Sequence, residues 1–145
     1  MKDMWDKKAA SYPRFTGEPS VFHRGLYDKI AEFGVKFEGK SVVDIGCGTG
    51  VHTLFLAQIC REITGMDISG EMLKVMVEDA VKFNISNLTA VQSDFKNFNP
   101  NRVYDVAFST MSPAIADEED FVKFINLGEK RVYLWWNKPR YSSVL

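Results

Sequence analysis

The stretch Val42-Val43-Asp44-Ile45-Gly46-Cys47-Gly48-Thr49-Gly50 constrains this chain more than any other. A short apolar run gives way to three glycines at alternate positions, and the Leu-, Phe- and Ala-rich segment Val51 to Cys60 then reads as a helix. A strand that turns sharply into a helix is the opening of a parallel β-α-β unit, because parallel neighbours need a crossover connection. Glycines at the turn permit positive φ and let a ligand approach the backbone with no Cβ in the way. The helix start adds N–H donors without intrahelical partners. Two common ligand turns are excluded by spacing. A phosphate loop requires Lys followed by Ser or Thr, which is missing here. The dinucleotide turn GxGxxG places its third glycine where this chain has Val51.

The rest of the chain repeats the alternation. The first 20 residues, with Pro13, Gly17 and Pro19 as breakers, read as irregular, and Val21 to Phe33 as a helix. Strands are predicted over Ser41–Ile45, Glu62–Asp67, Leu88–Ser93, Val103–Thr110 and Arg131–Trp136. Ser69 caps a helix running to Phe83, with Leu73, Met76, Ala80 and Phe83 on one face, and Asp117 to Leu127 forms another. No helix is predicted between the third and fourth strands. The pattern is that of a doubly wound α/β domain, whose ligands sit outside the carboxyl ends of the strands.

Composition narrows the partners. The net charge of -1 over 145 residues carries no basic cluster of the kind that marks a nucleic-acid surface, so a small-molecule partner is expected and no nucleic acid is indicated. Cys47 and Cys60 form no CxxC pair and have no histidine cluster beside them, so no metal site is expected. Free thiols, a polar N-terminus and the lack of an apolar run of about 20 residues point to a cytoplasmic protein away from membranes.

Three acids fall at strand ends: Asp44 in the first, Asp67 closing the second and Asp94 just after the third. A carboxylate at the second position can accept hydrogen bonds from both hydroxyls of a ribose. With the glycine turn, these acids make the chain resemble the class I S-adenosylmethionine-dependent methyltransferases, whose first motif, (V/L/I)-(L/V)-(D/E)-(L/V/I)-G-x-G-x-G, Val42 to Gly50 matches throughout.

The resemblance implies a Rossmann-like sheet of about five parallel strands in the order 3-2-1-4-5. The family's usual sixth and seventh strands have no counterpart before Leu145, and the domain over residues 21–145 reads as C-terminally short. It implies S-adenosylmethionine as cofactor. Gly46, Cys47, Gly48 and Gly50 would cradle its amino-acid part, and Asp44 would meet the amino group or merely orient the loop. Asp67 would hold the ribose. Asp94 would take the adenine amino group, with Ser93 and Phe95 beside it. Ile68 and Met72 would wall the base, although Met72 fits a core position equally well. Ser109, at the end of the fourth strand, would lie near the methionine part. Residues 1–20, with Trp5-Asp6-Lys7-Lys8-Ala9-Ala10-Ser11-Tyr12, resemble the family's segment that folds over the cofactor, where Trp5 and Tyr12 would meet the sulfonium.

In-line transfer of a methyl group needs a base only where the acceptor must lose a proton. His52, His23 and Tyr12 are the candidates for such a catalytic group, although a lone histidine is usually structural or solvent-facing. Ser109-Thr110-Met111-Ser112-Pro113 lacks the Asn/Asp-Pro-Pro-aromatic signature of amide and exocyclic nitrogen methylation. The expected function is methyl transfer to a small molecule. The rival readings are a non-catalytic cofactor-binding module and a nicotinamide-dependent oxidoreductase. An uncovered fifth strand would expose Tyr133, Trp135 and Trp136 and invite a homodimer through that edge.

Overall fold

The computed structural model describes residues 1–135. Its centre is β1 (Ser41–Ile45), every residue of which is buried. Around it lie β2 (Glu62–Asp67), β3 (Leu88–Gln92), β4 (Tyr104–Thr110) and β5 (Gly128–Leu134), all parallel, in the order β3-β2-β1-β4-β5. Period-two alternation divides the core. Val42, Ile63, Val106 and Phe108 face one layer, while Val43, Ile45, Met66 and Ala107 face the other.

Helices cover both faces. α2 (Val21–Glu32) and α3 (Val51–Ala57) pack through Ile30, Leu56 and Ala57 on the first layer, and α5 (Glu118–Leu127) packs through Phe124 and Leu127 on the second. α4 (Gly70–Lys82) meets α3 through Leu73, Met76 and Leu54. Three helices start on side-chain caps. Ser20 accepts from the His23 N–H at 3.1 Å, Ser69 from Met72 at 3.1 Å and Asp117 from Asp120 at 2.9 Å. No helix joins β3 to β4. Phe95 and Phe98 of that connection fill the second layer instead.

Three expectations need correction. The first 20 residues are not all irregular, because α1 (Lys2–Lys8) is helical, with Asp3 in its first turn and Lys7 and Lys8 in its last, where they complement the helix dipole. The Lys2–Asp6 pair at 2.7 Å bridges one turn of it. α3 stops at Ala57, since the Gln58 and Ile59 N–H groups bond three residues back and tighten the end. β5 begins at Gly128, three residues before the apolar run that predicted it. α5 runs straight into it, and a Cβ on Gly128 would stand 2.5 Å from the Ala107 nitrogen. At the β5 edge, Tyr133 packs against Phe121 and Phe124, while Trp135 is exposed. Trp136 lies outside the described residues. No helix of the described residues is long and apolar enough to cross a membrane.

Candidate cofactor site

A cavity of about 550 Å³ opens at the carboxyl ends of β1, β2, β3 and β4, a volume suited to a small ligand. Asp44, Gly46, Cys47, Gly48, Asp67, Ile68, Met72, Ser93, Asp94 and Phe95 all line it, as do Tyr12, His23 and His52. The parallel sheet accounts for the convergence: register pairs Asp44 with Gly65 of β2 and Phe108 of β4, so the three strand ends finish side by side.

Asp44 is buried to 2% exposure. Its Oδ2 accepts from Thr53 Oγ1 at 2.7 Å, and Oδ1 is a buried acceptor without a partner among the described residues. Burial pushes its carboxyl up to about 7, against the Thr53 bond, and the Asp67 charge adds to the rise. A buried oxygen with an open lone pair inside a ligand-sized cavity suits a cationic donor.

Asp67 organises the turn. Its Oδ2 accepts from the Gly48 N–H and its Oδ1 from the Ser69 N–H, each at 2.9 Å, so each oxygen keeps a second lone pair. Burial raises its pKa against these bonds. Asp94 is exposed and caps its own turn, accepting from Asn97 N at 2.8 Å and Asn97 Nδ2 at 3.0 Å. Ser93 Oγ donates to the Asp94 carbonyl at 2.7 Å. Phe95, Met72 and Ile68 are apolar walls, the first two buried in the core as well. Burial pushes the Cys47 thiol well up, so it stays a neutral wall.

The glycines divide by role. Gly48 has φ +58 and open space where a Cβ would stand. Gly46 has φ +74 and is crowded instead, its Cβ position lying 1.9 Å from Ser112 Oγ. Gly50 does not line the cavity: it starts α3 in a left-handed conformation, with its Cβ position 2.3 Å from Met76 Cγ. It serves the contact between α3 and α4. Ser109 is also displaced from the expected role, because it is fully buried and donates to the Ile45 carbonyl at 2.8 Å. Strand position alone could not separate a hydroxyl facing the rim from one tying β4 to β1.

The N-terminal segment closes over the rim. Trp5 and Tyr12 both line the cavity, with ring centres 6.1 Å apart edge to face. Asp6 accepts from Ser69 Oγ at 2.5 Å, Thr49 Oγ1 donates to the Pro13 carbonyl, and Arg14 pairs with buried Asp79 at 2.8 Å. Sequence reasoning missed several lining residues. Thr110 ends β4, Met111, Ser112, Pro113 and Ala114 follow it, and Asp120 lies in the first turn of α5. Met111, with φ +52, marks the sharp turn of that loop, and its only signal was the Ser-Pro dipeptide. The one lysine of the lining, Lys96, is paired with Asp117 at 2.9 Å and Asp120 at 3.1 Å. Among the described residues no group of three or more His, Cys, Asp or Glu is arranged to hold a metal.

A five-stranded parallel sheet in this order, with acids and a glycine turn on its upper rim, defines a Rossmann-like nucleoside-binding class of proteins. The family described as "Methyltransferase domain" matches residues 42–127, and the chain belongs to it. An uncharacterized protein of Haemophilus influenzae is 29% identical over 133 residues, covering 90% of this chain and 48% of its own length. Pavine N-methyltransferase of Thalictrum flavum subsp. glaucum is 30% identical over 94 residues, covering 63% of this chain and 26% of its own. The chain thus spans half or less of these relatives. A crystal structure of a SAM-dependent methyltransferase from Aquifex aeolicus superposes with a TM-score of 0.65 at 18% identity, covering 79% of this chain and 66% of that one. That likeness supports the fold.

Proposed function

We propose that this chain binds S-adenosylmethionine and transfers its methyl group to a small molecule. The observation that carries the reading is Asp44 Oδ1, a buried acceptor unpartnered among the described residues that shares the cavity with the open backbone of Gly48. The residues fit the group. Asp44 would take the ammonium, the Gly46–Gly48 turn the amino-acid chain, Asp67 the ribose hydroxyls, and Ile68, Met72, Asp94 and Phe95 the base. Residues 1–20 would act as the lid, with Trp5 and Tyr12 facing the sulfonium. When bound, the cofactor supplies a methyl group already activated by positive charge on sulfur. The protein's part is to align the acceptor and exclude water.

The small-molecule acceptor is favoured over RNA by charge. The lining holds Asp44, Asp67, Asp94 and Asp120, and its single lysine is already paired. A phosphate chain entering there would meet repulsion from these carboxylates and a lysine already engaged. Curated relatives include both N-methyltransferases and RNA methyltransferases, so names alone favour neither. Calorimetry with S-adenosylmethionine, S-adenosylhomocysteine and NAD tests the cofactor. Binding of both adenosyl compounds and not NAD is expected, and binding of NAD alone would overturn the reading.

A further inference from the structure

His52, on the first turn of α3, and His23, on α2, both line the cavity, with ring centres 4.8 Å apart. Tyr27 stands one helical turn after His23 and is not part of the lining. Its hydroxyl lies 2.6 Å from His52 Nδ1, and its ring stacks on Phe55 at 4.4 Å and 12°. The side chain is therefore held from behind by packing and committed to one polar partner.

Hydrogen-bond accounting assigns the proton. A phenol has one proton to give, and Tyr27 has no other acceptor among the described residues. Turning that proton away from Nδ1 would strand a half-buried O–H, which costs more than a made bond returns. Burial and the Asp44 charge both raise the phenol's pKa, so the proton is there to donate. Nδ1 therefore accepts. A neutral imidazole that accepts at Nδ1 carries its own proton on Nε2. Burial, then the neighbouring His23, pull the His52 pKa down to about 4, which keeps the ring neutral at physiological pH. Nε2 has no hydrogen-bond partner among the described residues.

We propose that Tyr27 locks His52 as the Nε2–H tautomer, so that His52 is a specificity-determining donor that selects methyl acceptors bearing an oxygen lone pair, and is not the base that deprotonates them. The role as substrate selector rests on the methyltransferase reading above, whereas the tautomer does not. An oxygen suits the arrangement because it has two lone pairs. One accepts from Nε2–H while the other attacks the methyl carbon. The carbon–sulfur bond breaks with its electrons staying on sulfur, and any proton on the acceptor oxygen is lost to bulk water as the product leaves the cavity. A single-lone-pair amine held by the same donor would lose its nucleophilicity.

Long-range proton–nitrogen NMR on the isotope-labelled chain, with no cofactor added, reads the tautomer directly. His52 is expected to show a protonated Nε2 and a bare Nδ1, and Tyr27→Phe a mixture of both forms. A proton on Nδ1 in the unsubstituted protein overturns the proposal, and this measurement needs no variant to fold. The second arm uses protein saturated with S-adenosylhomocysteine and two probes of like shape, acetophenone and α-methylstyrene. The ketone is expected to shift the His52 Nε2–H signal and the hydrocarbon to leave it. Equal shifts, or none with either, overturn the selecting role. Failure of S-adenosylhomocysteine to bind would remove the methyltransferase reading and leave the tautomer result standing.

Discussion

Thr53 Oγ1 holds one oxygen of Asp44 at 2.7 Å and leaves the other buried without a partner among the described residues. The free protein pays for that arrangement. The folded-state pKa rises from 3.8 to about 7, so between these values the folded chain keeps a proton that the unfolded chain has released. Stability from this group therefore falls as pH rises through that window, by up to about 1.4 kcal/mol per unit. Asp44→Asn removes the slope. Thermal melts are expected to show the variant gaining on the parent protein as pH rises toward neutrality. Calorimetry is expected to show the same variant losing about tenfold or more in S-adenosylmethionine affinity, because an amide offers no charge to an ammonium.

Asp67 should separate turn geometry from ligand contact. Asp67→Ala removes the acceptor for Gly48 N–H as well as the ribose partner, and S-adenosylhomocysteine affinity should fall by about tenfold or more. Asp67→Asn keeps one acceptor oxygen and should fall less. Equal affinity in Asp67→Ala and the parent protein would end the ribose assignment.

Gly46 is required by its neighbour. An alanine there would place Cβ 2.5 Å from Ser112 Cβ, at φ +74. Gly46→Ala is expected to cost about 2–5 kcal/mol, combining the backbone strain with overpacking. Adding Ser112→Gly should recover part of that loss in chemical denaturation. No recovery would mean the contact with Ser112 is not what excludes the side chain.

The seating of the N-terminal segment should respond to Asp6. Its carboxylate joins α1 to Ser69, whose hydroxyl in turn caps α4 next to Asp67. Asp6→Ala is expected to weaken S-adenosylhomocysteine binding by about three- to tenfold and to shift the Trp5 fluorescence toward that of an exposed indole. An unchanged emission would show that α1 stays seated without this contact.

Periodicity carried the sheet. The boundaries of β1 and β2 were legible because buried parallel strands write themselves as short apolar runs between turn signals, whereas the strand order came from the resemblance carried by the glycine turn. α1 was not legible, since seven residues with no buried position leave no amphipathic stripe and what fixes the helix lies 63 and 65 residues from Asp6, at Ser69 and Glu71. The start of β5 was hidden because Gly128, Glu129 and Lys130 form an edge strand with a single neighbour, where polar side chains are tolerated. Within the site, the acids and Gly48 could be read from spacing. Ser109 and Gly50 could not be told from true lining residues, because their partners, Ile45 and Met76, become neighbours only on folding. Tyr27 carried no signal at all, standing on an ordinary helix 25 residues before the histidine it meets.

Phe95 borders the cavity and yet is 2% exposed, sharing its layer with Phe98, Ile115 and Phe124 of α5. One ring thus answers to two masters. A change there that alters which base is accommodated also loosens the interior, so altered preference at this corner would surface first as a protein that melts early. Variation in ligand choice is consequently cheaper at Ile68 and in the loop at Met111, where side chains face the opening and the interior bears no share of the burden.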